Sequence, residues 1–419
     1  MNQGLSRGRS GRKRRAVVIF SMLEHGHFQR LRPLVSGLSG AGITVHVFTH
    51  VQFKPHVERA GGVFFDLFSR YPLEQADDES IPISSRYVTF AAKYAEEIRR
   101  DVAKTGASLV INDTFAVIGR VVAPLLDIPR VNVCSGHNLP PARILAVLAT
   151  DPRVRTSRAC FEAVKVLRES YSMADASPFS YVSSISPSLN VYCEPPEFLE
   201  ENERAVFEPL AFYGSLPSGD ELREDGPRDR TWFGSGGGRN LKVYVSFGTV
   251  VWRYYAAAAI RALNTIAASF AGEKGLEAII SLGGAAVDGS TVAGWGRPNV
   301  SVESYVNQWE VLQEAQAFIT HHGMNSTHEA IFHRVPMISY PFFWDQPGMA
   351  ATCRNFGLAV PLSESPRGEF GEDRVRAALS RLKEDRGSMS AALSRARDWE
   401  LAVMDGRPAV HRRILDLMG

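Results

Sequence analysis

The sequence predicts an α/β protein with two doubly wound domains that face each other across a central cleft. Chain length is the first reason, because 419 residues exceed one ordinary core and fit two domains of around 200 residues each. The second reason is a repeated succession of short β-branched runs and helical patterns, which is typical of parallel sheets covered by helices on both faces. A polar stretch rich in Gly and Pro separates the two series and predicts a linker.

The first series opens with a predicted strand at Ala16–Phe20. A helix follows, because apolar residues recur at helical spacing at Leu31, Leu34, Val35 and Leu38. The next strands are predicted at Ile43–Thr49, Ser108–Asn112 and Arg130–Val133. Residues 137–190 mix helical and turn signals, so no element is placed there.

The second series predicts strands and helices in alternation. Its strands are placed at Lys242–Phe247, Ala278–Leu282, Ala317–Thr320 and Pro336–Tyr340, and its helices at about Ala256–Ala271 and Ser326–His333. The predicted divisions are a disordered basic leader at 1–15, an N-terminal domain at 16–213, a linker at 214–240 and a C-terminal domain at 241–419. The prediction leaves open that the last helix crosses back to the N-terminal domain.

Composition narrows the class of protein. The apolar fraction of 45% and the charged fraction of 22% are ordinary for a globular protein. The net charge of +2 depends on six basic residues within the first 15, and without them 41 basic residues face 45 acidic ones. A slightly acidic body argues against nucleic-acid binding. The leader is interpreted as a solvated tail in preference to a targeting arm.

Cysteine usage and hydropathy predict the compartment. Four cysteines, at Cys134, Cys160, Cys193 and Cys353, show no paired spacing, which indicates reduced structural thiols in a cytosolic protein. The apolar run Ala16–Phe20 is too short for a signal sequence or a membrane span. The sequence therefore predicts a soluble cytoplasmic protein without an integral membrane span.

The segment Ile319–Glu329 has the form of a phosphate-binding turn. The predicted strand ends at Thr320, the chain turns through Gly323, and a helix starts near Ser326. Unpaired N–H groups and the positive end of the helix dipole suit a diphosphate there, and glycine lets the backbone approach closely. His321 at the strand end can donate to a phosphate oxygen. Taken alone, the segment favours an ordinary strand–turn–helix capped by Ser326.

The continuation of the chain favours a ligand site. Asp345 and Gln346 follow the strand Pro336–Tyr340 and the segment Pro341–Trp344. A carboxylate beside an amide can accept from and donate to a vicinal diol, as a sugar presents. The alternative is an acidic loop that precedes a helix.

Together these segments resemble the donor-binding signature of the UDP-glycosyltransferase superfamily, the family 1 glycosyltransferases that include bacterial macrolide and natural-product enzymes. The family pattern runs Trp-x-Pro-Gln, His-x-Gly-x-Asn-Ser-x-x-Glu and Asp/Glu-Gln. The matching positions are Tyr305-Val-Asn-Gln308, His321-His-Gly-Met-Asn-Ser-Thr-His-Glu329 and Asp345-Gln346. The resemblance implies the GT-B fold, in which two Rossmann-like domains face a central cleft. It also implies that the N-terminal domain binds the acceptor and the C-terminal domain the nucleotide sugar.

The resemblance carries donor-binding roles onto particular residues of the C-terminal half. They are Thr249, Tyr305, Gln308, His321, Gly323, Asn325, Ser326, Glu329, Trp344, Asp345 and Gln346. It implies that Tyr305 stacks on the base beside Gln308, that His321, Asn325 and Ser326 hold the diphosphate, and that Asp345 and Gln346 hold the sugar. Thr249 ends the stretch Val245-Ser-Phe-Gly-Thr249, which resembles the family's other phosphate loop. Glu329 is assigned to the ribose, although Ser326–Glu329 also reads as a helix capping box.

His27 and Asp113 are the predicted catalytic pair. His27 lies in Glu24-His-Gly-His27-Phe, between the first strand and the first helix, and matches the family's Gly-His motif, whose histidine is the general base. The departures are Gln29 and Arg30, which replace the usual Asn and Pro. The resemblance pairs the histidine with Asp113, which follows the strand Ser108–Asn112. A carboxylate on one imidazole nitrogen fixes the tautomer and leaves the other nitrogen to accept a proton.

No metal site is predicted. His328 and His333 resemble a zinc-protease helix, but their i,i+5 spacing separates them by about 140° around the helix axis. The pairs His25/His27 and His321/His322 have no further ligands in metal spacing.

The predicted function is metal-independent, inverting transfer of a sugar to a hydroxyl of a small lipophilic or polyphenolic natural product. UDP-glucose is the preferred donor because the Asp-Gln pair resembles that found with fully hydroxylated sugars, and no cofactor is expected. The alternatives are a TDP-deoxysugar-dependent transferase and a catalytically silent nucleotide-sugar-binding protein. A UDP-sugar epimerase and a glycolipid synthase are enzyme rivals that are not expected to carry the Asp-Gln pair. The oligomeric state is not predicted.

Overall fold

The computed structural model describes residues 15–74, 85–137, 140–150, 154, 156–182, 184–217, 231–234 and 240–419. It contains two wholly parallel sheets, in agreement with the predicted α/β class. The first sheet has seven strands in the order β3-β2-β1-β4-β5-β6-β7. These strands are β1 Ala16–Phe20, β2 Thr44–Thr49, β3 Val63–Asp66, β4 Ala107–Asp113, β5 Arg130–Cys134, β6 Leu189–Tyr192 and β7 Leu210–Phe212.

The second sheet has six strands in the order β10-β9-β8-β11-β12-β13. They are β8 Leu241–Ser246, β9 Leu276–Ser281, β10 Val300–Glu303, β11 Ala317–Thr320, β12 Met337–Ser339 and β13 Ala359–Pro361. Strand order reverses between β1 and β4 in the first sheet and between β8 and β11 in the second. Doubly wound sheets bind ligands at the carboxyl ends of the strands beside such a reversal.

Helices occupy the connections between the strands. In the first half they are α1 His25–Gly40, α2 Lys54–Arg59, α3 Leu67–Arg70, α4 Arg86–Lys104, α5 Val117–Leu125, α6 Pro141–Thr150, α7 Arg158–Ser170 and α8 Glu201–Arg204. In the second half they are α9 Val250–Phe270, α10 Gly289–Trp295, α11 Gln308–Glu314, α12 Met324–Phe332, α13 Gln346–Asn355, α14 Glu372–Glu384, α15 Arg386–Asp405 and α16 Arg407–Asp416.

The predicted strands are present, and their burial explains why the sequence revealed them. All five residues of β1 and all five of β5 are buried, as expected for parallel strands covered on both faces. The helix predicted from Ala256 begins earlier, at Val250, because a first helical turn precedes a break at Tyr255, where φ is −136° and ψ is 27°. Short strands such as β7 and β13, of three residues each, escaped prediction.

The last helix, α16, packs against the first half of the chain. The hydroxyl of Tyr213, just after β7, hydrogen-bonds Nε2 of His411 at 2.7 Å. The His411 ring also fills the space above Gly37 of α1, where a Cβ atom would lie 2.1 Å from the ring. Arg407 donates to the carbonyl oxygens of Tyr213 and Leu216. These contacts attach the end of the chain to the first sheet.

Two predicted segments fall mostly outside the described residues, namely the leader at 1–15 and the linker at 214–240. Within the linker, Phe233 is fully buried and the Trp232 indole donates to Glu310 at 3.1 Å, so these two residues are anchored to the second half. Among the described residues, no helix is both long and apolar enough to cross a membrane.

Candidate active site

Both strand-order reversals carry predicted site residues. His27 follows β1, and Asp113 is the last residue of the neighbouring strand β4. Thr249 follows β8, and His321 follows its neighbour β11. Since parallel strands end at the same edge of a sheet, each reversal brings two distant stretches of sequence together. The architecture therefore places two of these residues on each side of the cleft.

His27 and Asp113 are in direct contact. Nδ1 of His27 lies 2.8 Å from Oδ1 of Asp113, and the carboxylate is fully buried while the imidazole is 16% exposed. The Phe115 ring lies 3.9 Å from the His27 ring between centroids, at an interplanar angle of 31°. With Nδ1 donating to the carboxylate, Nε2 is the nitrogen left to accept a proton.

Ser135 is a third member of this group that the sequence analysis missed. It follows β5, and its hydroxyl donates to Oδ1 of Asp113 at 2.6 Å and lies 2.9 Å from Nδ1 of His27. The other oxygen of Asp113 accepts from the backbone N–H of Phe115 at 3.3 Å. The position of Ser135 just past a central strand was the signal that the sequence offered. Nothing in the sequence indicated that the Ser135 hydroxyl would contact Asp113.

The first helix starts earlier than the sequence suggested. His27 was placed on a loop before the helix, but α1 begins at His25, so His27 lies in its first turn. Glu24 is the N-cap residue, and the backbone N–H of His27 donates to its carbonyl oxygen at 3.1 Å. The helical backbone therefore holds His27 over Asp113.

The His321 ring lies between two glycines of the predicted phosphate loops. A Cβ atom on Gly248 would lie 2.8 Å from the ring, and one on Gly323 would lie 2.4 Å from its Nε2 atom. Gly248 also has a φ of 68°, in the left-handed region that favours glycine. The loops after β8 and β11 can therefore approach each other only because both residues lack side chains.

His321 is 8% exposed, and this burial lowers its pKa to about 4. The imidazole is consequently neutral at pH 7 and carries a single N–H. A neutral ring can donate one hydrogen bond to a phosphate oxygen without contributing a positive charge.

The helix predicted near Ser326–His333 is present, but it starts two residues earlier than expected, and the N-cap assigned to Ser326 is wrong. Helix α12 begins at Met324 with Gly323 as its N-cap, so Ser326 lies inside the first turn, and no capping box forms with Glu329. Glu329 instead accepts from Nε2 of Gln308 at 2.7 Å, and the same nitrogen lies 3.1 Å from the Ser326 hydroxyl. The competing structural explanation for Glu329 is thereby removed. Its carboxylate lies with Gln308 in one polar group that lines the cleft.

Asn325 connects the two halves of the chain. Its amide nitrogen donates to the carbonyl oxygen of Gly26 at 3.2 Å, and its oxygen accepts from Nε of Arg30 at 3.0 Å. The Arg30 guanidinium is 6% exposed and also donates to the Ser135 carbonyl oxygen. In the sequence, Arg30 is only a departure from the family pattern. The structure shows a nearly buried cation between the two sides of the cleft.

Asp345 and Gln346 have different surroundings. Burial raises the pKa of Asp345, and its Oδ2 accepts from the backbone N–H of His137 at 3.2 Å. The side-chain oxygen of Gln346 accepts from the backbone N–H groups of Phe342 and Phe343 at 2.9 and 3.3 Å. Gln346 therefore has only its amide nitrogen left to offer a ligand.

Trp344 has a φ of 60°, and its ring lies edge-on to that of Phe115 with centroids 5.4 Å apart. It also lies parallel to the ring of Tyr181 with centroids 6.3 Å apart. Phe115 in turn contacts His27. The structure thus places Trp344 beside the predicted catalytic histidine and the aromatic residues of the first half.

One cavity of about 850 Å³ joins these groups. Every predicted donor-binding residue lines it, together with His27, while Asp113 lies behind the histidine. Tyr305 is 62% exposed and lines the cavity. Within the described residues, no group of three or more metal-ligating side chains is present, and the four cysteines are free and buried.

Comparison with known proteins agrees with this geometry. A sequence model of the family "UDP-glucoronosyl and UDP-glucosyl transferase" matches residues 223–386. An uncharacterized UDP-glucosyltransferase from Bacillus subtilis (strain 168), YdhE, is 26% identical over 80% of this chain and 82% of its own. The crystal structure of the kitacinnamycin glycotransferase superposes with a TM-score of 0.74 at 19% identity, covering 96% of this chain and all of the other. The spinosyn rhamnosyltransferase SpnG, complexed with thymidine diphosphate, superposes at 0.62 with 16% identity and coverages of 94% and 99%.

These findings confirm the GT-B fold and the predicted resemblance. The chain is similar to the UDP-glycosyltransferase family of family 1 glycosyltransferases over residues 223–386, and it is similar to YdhE over most of its length. It is a glycosyltransferase that depends on a nucleotide sugar.

Proposed function

We propose that the protein transfers glucose from UDP-glucose, with inversion, to a hydroxyl of a small lipophilic or polyphenolic natural product. The observation that carries the proposal is the position of His27. It is hydrogen-bonded to Asp113 at 2.8 Å and opens into the same cavity as the loops that contain Thr249 and His321. A general base and a diphosphate site on opposite walls of one cleft are what transfer from a nucleotide sugar requires.

The proposed reaction is a single displacement. Nε2 of His27 takes the proton of the acceptor hydroxyl while the acceptor oxygen forms a bond to the anomeric carbon of the sugar. The bond between that carbon and the diphosphate oxygen breaks, and the diphosphate leaves with the electron pair. Asp113 stabilises the imidazolium that forms, as a buried carboxylate does in other histidine dyads. Attack opposite the leaving group inverts the anomeric configuration.

The departing diphosphate is stabilised by the loops of the second sheet. The N-terminus of α12 at Gly323 and that of α9 at Thr249 both face the cavity, so backbone N–H groups and helix dipoles can oppose the developing charge. His321 adds one neutral N–H. We infer that these groups act without a divalent cation. Transfer that EDTA abolishes and Mg²⁺ restores would contradict this inference.

The remaining donor contacts are those to the base, the ribose and the sugar. We propose that Tyr305 stacks on the base beside Gln308, that Glu329 binds the ribose hydroxyls, and that Asp345 and Gln346 bind the sugar. The support is that all five residues line the same cavity. For Gln346 the contact is limited to donation by its amide nitrogen.

The acceptor side of the cavity is aromatic. Phe115, Tyr254 and Trp344 line it near His27. Flat aromatic side chains stack favourably against planar or lipophilic molecules. This lining supports a lipophilic or polyphenolic acceptor. We propose that Trp344 contacts the acceptor, although it directly precedes the sugar-binding pair Asp345-Gln346 in the sequence.

A TDP-deoxysugar is the second candidate donor, favoured by the thymidine diphosphate bound to the structural neighbour SpnG. Rates with UDP-glucose and with TDP-sugars, measured by mass shift of a panel of phenolic and macrolide acceptors, distinguish the two. Preference for UDP-glucose supports the first proposal, and turnover only with TDP-sugars supports the second.

The His27→Ala variant tests the mechanism in the same assay. We expect kcat to fall by about 10²–10⁴ while nucleotide binding is retained. An unchanged rate would remove His27 from the catalytic role, and nucleotide binding without turnover by the wild type would indicate a silent binding protein.

A further inference from the structure

Four ionisable side chains form a continuous, fully buried cluster behind helix α12. They are His137, Glu194, His328 and Glu400, and the exposure of each side chain is 0%. None of the four lines the cavity, and none has a role in the proposed mechanism. Burying charged groups costs free energy unless they are paired, and even a paired cluster is often no more stable than an apolar one. The cluster therefore calls for an explanation beyond stability.

His328, on α12, bonds to a carboxylate on each side. Its Nε2 lies 3.1 Å from Oε1 of Glu194, and its Nδ1 lies 2.5 Å from Oε1 of Glu400 on α15. Carboxylates at these positions accept, so both ring nitrogens must donate, which only the imidazolium form can do. Burial alone would lower the pKa of His328, but the charge of Glu400 and the bonds to both carboxylates raise it to about 10. A buried cation thus fixes the inner face of the helix.

Glu194 is the point where the cluster branches. It follows β6 of the first sheet, and both its oxygens lie 3.0 Å from Nδ1 of His137 while Oε1 also bonds His328. Burial alone would raise the pKa of Glu194, but the two histidines lower it to about 2. One ionised carboxylate of the first half therefore holds a histidine on each side.

His137 extends the cluster to the predicted sugar site. It follows β5, its Nε2 lies 3.1 Å from the hydroxyl of Thr352 on α13, and its backbone N–H donates to Asp345 at 3.2 Å. Asp345 and Thr352 both belong to the second half of the chain. The position of Asp345 is therefore tied to Glu194 through a single intervening residue.

Two donor-binding elements are in this way attached to one carboxylate. Helix α12 carries Asn325 and Ser326 within one turn of His328, on the cavity side. Asp345 lies at the start of α13 and is reached through His137. A rotation of either element toward or away from the first half would break a charged hydrogen bond in a site without water contact, where such bonds are strong.

We propose that Glu194 and His328 are positioning residues for donor binding. Their ion pair holds α12 in the arrangement that binds the nucleoside diphosphate, and through His137 it holds Asp345 in place for the sugar. This inference rests on the donor site described under the proposed function, and it assigns no contact between the pair and the donor itself.

The test is nucleotide affinity in Glu194→Gln and His328→Gln, measured by calorimetry with UDP and with TDP. Glutamine keeps the shape of Glu194 but removes its charge. We expect the Kd of the nucleotide that the wild type binds to rise roughly tenfold in each variant, the size of a typical coupling between sites. In the double variant the two effects should not multiply, because both substitutions remove the same interaction.

Tyr213→Phe is the matched control, because it removes a hydrogen bond that also joins the last helix to the first half of the chain but reaches no donor-binding element. We expect it to lower Tm and leave Kd unchanged. If Glu194→Gln likewise lowers Tm while Kd stays within roughly twofold of the wild type, the cluster is only structural and the inference is wrong.

Thr352→Val guards against variants that do not fold, since it keeps the side-chain shape and removes only the outermost bond of the cluster. Because this bond leads through His137 to the sugar-binding Asp345, we expect a smaller rise in the Kd of the intact sugar nucleotide, UDP-glucose or the TDP-sugar that the wild type binds. An unchanged Kd for that sugar nucleotide contradicts the inference. A wild type that binds neither UDP nor TDP overturns the proposed donor site. A wild type that binds while the variants bind equally well overturns this inference alone.

Discussion

Replacing Asp113 by Asn tests the catalytic pair with the smallest possible change of shape. Asp113 is fully buried and accepts three hydrogen bonds, from His27 at 2.8 Å, from the Ser135 hydroxyl at 2.6 Å and from the Phe115 backbone at 3.3 Å. Asparagine has one oxygen that accepts and one amide group that only donates. All three bonds therefore cannot survive in either orientation of the amide.

The two orientations have different costs. With the oxygen toward His27, the amide meets the N–H of Phe115, and the buried donors left unpaired cost about 1–3 kcal/mol of stability. With the amide toward His27, Nδ1 must accept, so the ring proton moves to Nε2, the atom that should take the acceptor's proton. Either way the imidazolium loses its carboxylate partner. We expect kcat to fall by about 10²–10⁴ with little change in the KM for the donor.

The assay is the initial rate of nucleoside diphosphate release at saturating donor and acceptor, with thermal unfolding measured in parallel. Ser135→Ala is the control, because it removes one hydrogen bond from Asp113 and leaves the carboxylate facing His27. It should lose less activity than Asp113→Asn. A folded Asp113→Asn enzyme whose kcat is within roughly threefold of the wild type would refute the role of Asp113.

Three further predictions concern the donor side. Gly323→Ala should weaken UDP binding by about tenfold in calorimetry, because the new methyl group would lie 2.4 Å from Nε2 of His321 and displace the ring. The control Gly296→Ala, where the nearest atom is 3.8 Å away, should bind UDP normally. Equal UDP affinities of the two variants would contradict the reasoning. Tyr305→Ala should raise the Kd for UDP, since stacking on a base contributes about 1–3 kcal/mol. It should leave Tm unchanged, because Tyr305 is 62% exposed. An unchanged Kd would exclude stacking. Stability should fall between pH 6.5 and 4, because the pKa of buried His321 is about 4, below its unfolded value, so the unfolded state binds the proton first as pH falls. The share from His321 is about 3 kcal/mol by urea unfolding, in addition to a share from buried His322, whose pKa is lowered to about 3. A His321→Asn variant that shows the same slope as the wild type would exclude the His321 share.

Much of the architecture could be read from local sequence. Strands such as Ala16–Phe20 and Ala317–Thr320 are buried on both faces, so they appear as continuous apolar runs. Once the strands are placed, residues at their carboxyl ends must gather at one edge of each sheet. That placement, together with the resemblance to the family's motifs, is why His27, Asp113 and His321 could be selected as site residues before any distance was known.

Other features depend on contacts between distant segments. The capping box at Ser326 was a reasonable local interpretation, yet the helix begins at Met324 and Glu329 turns to Gln308 on a different helix. Similarly, Ser135 contacts the proposed catalytic pair only because β5 lies beside β4. Secondary-structure propensity and motif spacing do not indicate which side chains of neighbouring strands or helices are in contact.

By itself, the sequence determined the two-sheet fold, the glycine turns and the residue types at the strand ends, because periodicity and short motifs are local properties of the chain. The tertiary structure decided how the two halves meet. The Arg30–Asn325 contact and the buried ion pair between Glu194 and His328 join residues 295 and 134 positions apart. Their energies depend on exclusion of water and on bond geometry, and both arise only when the domains pack together.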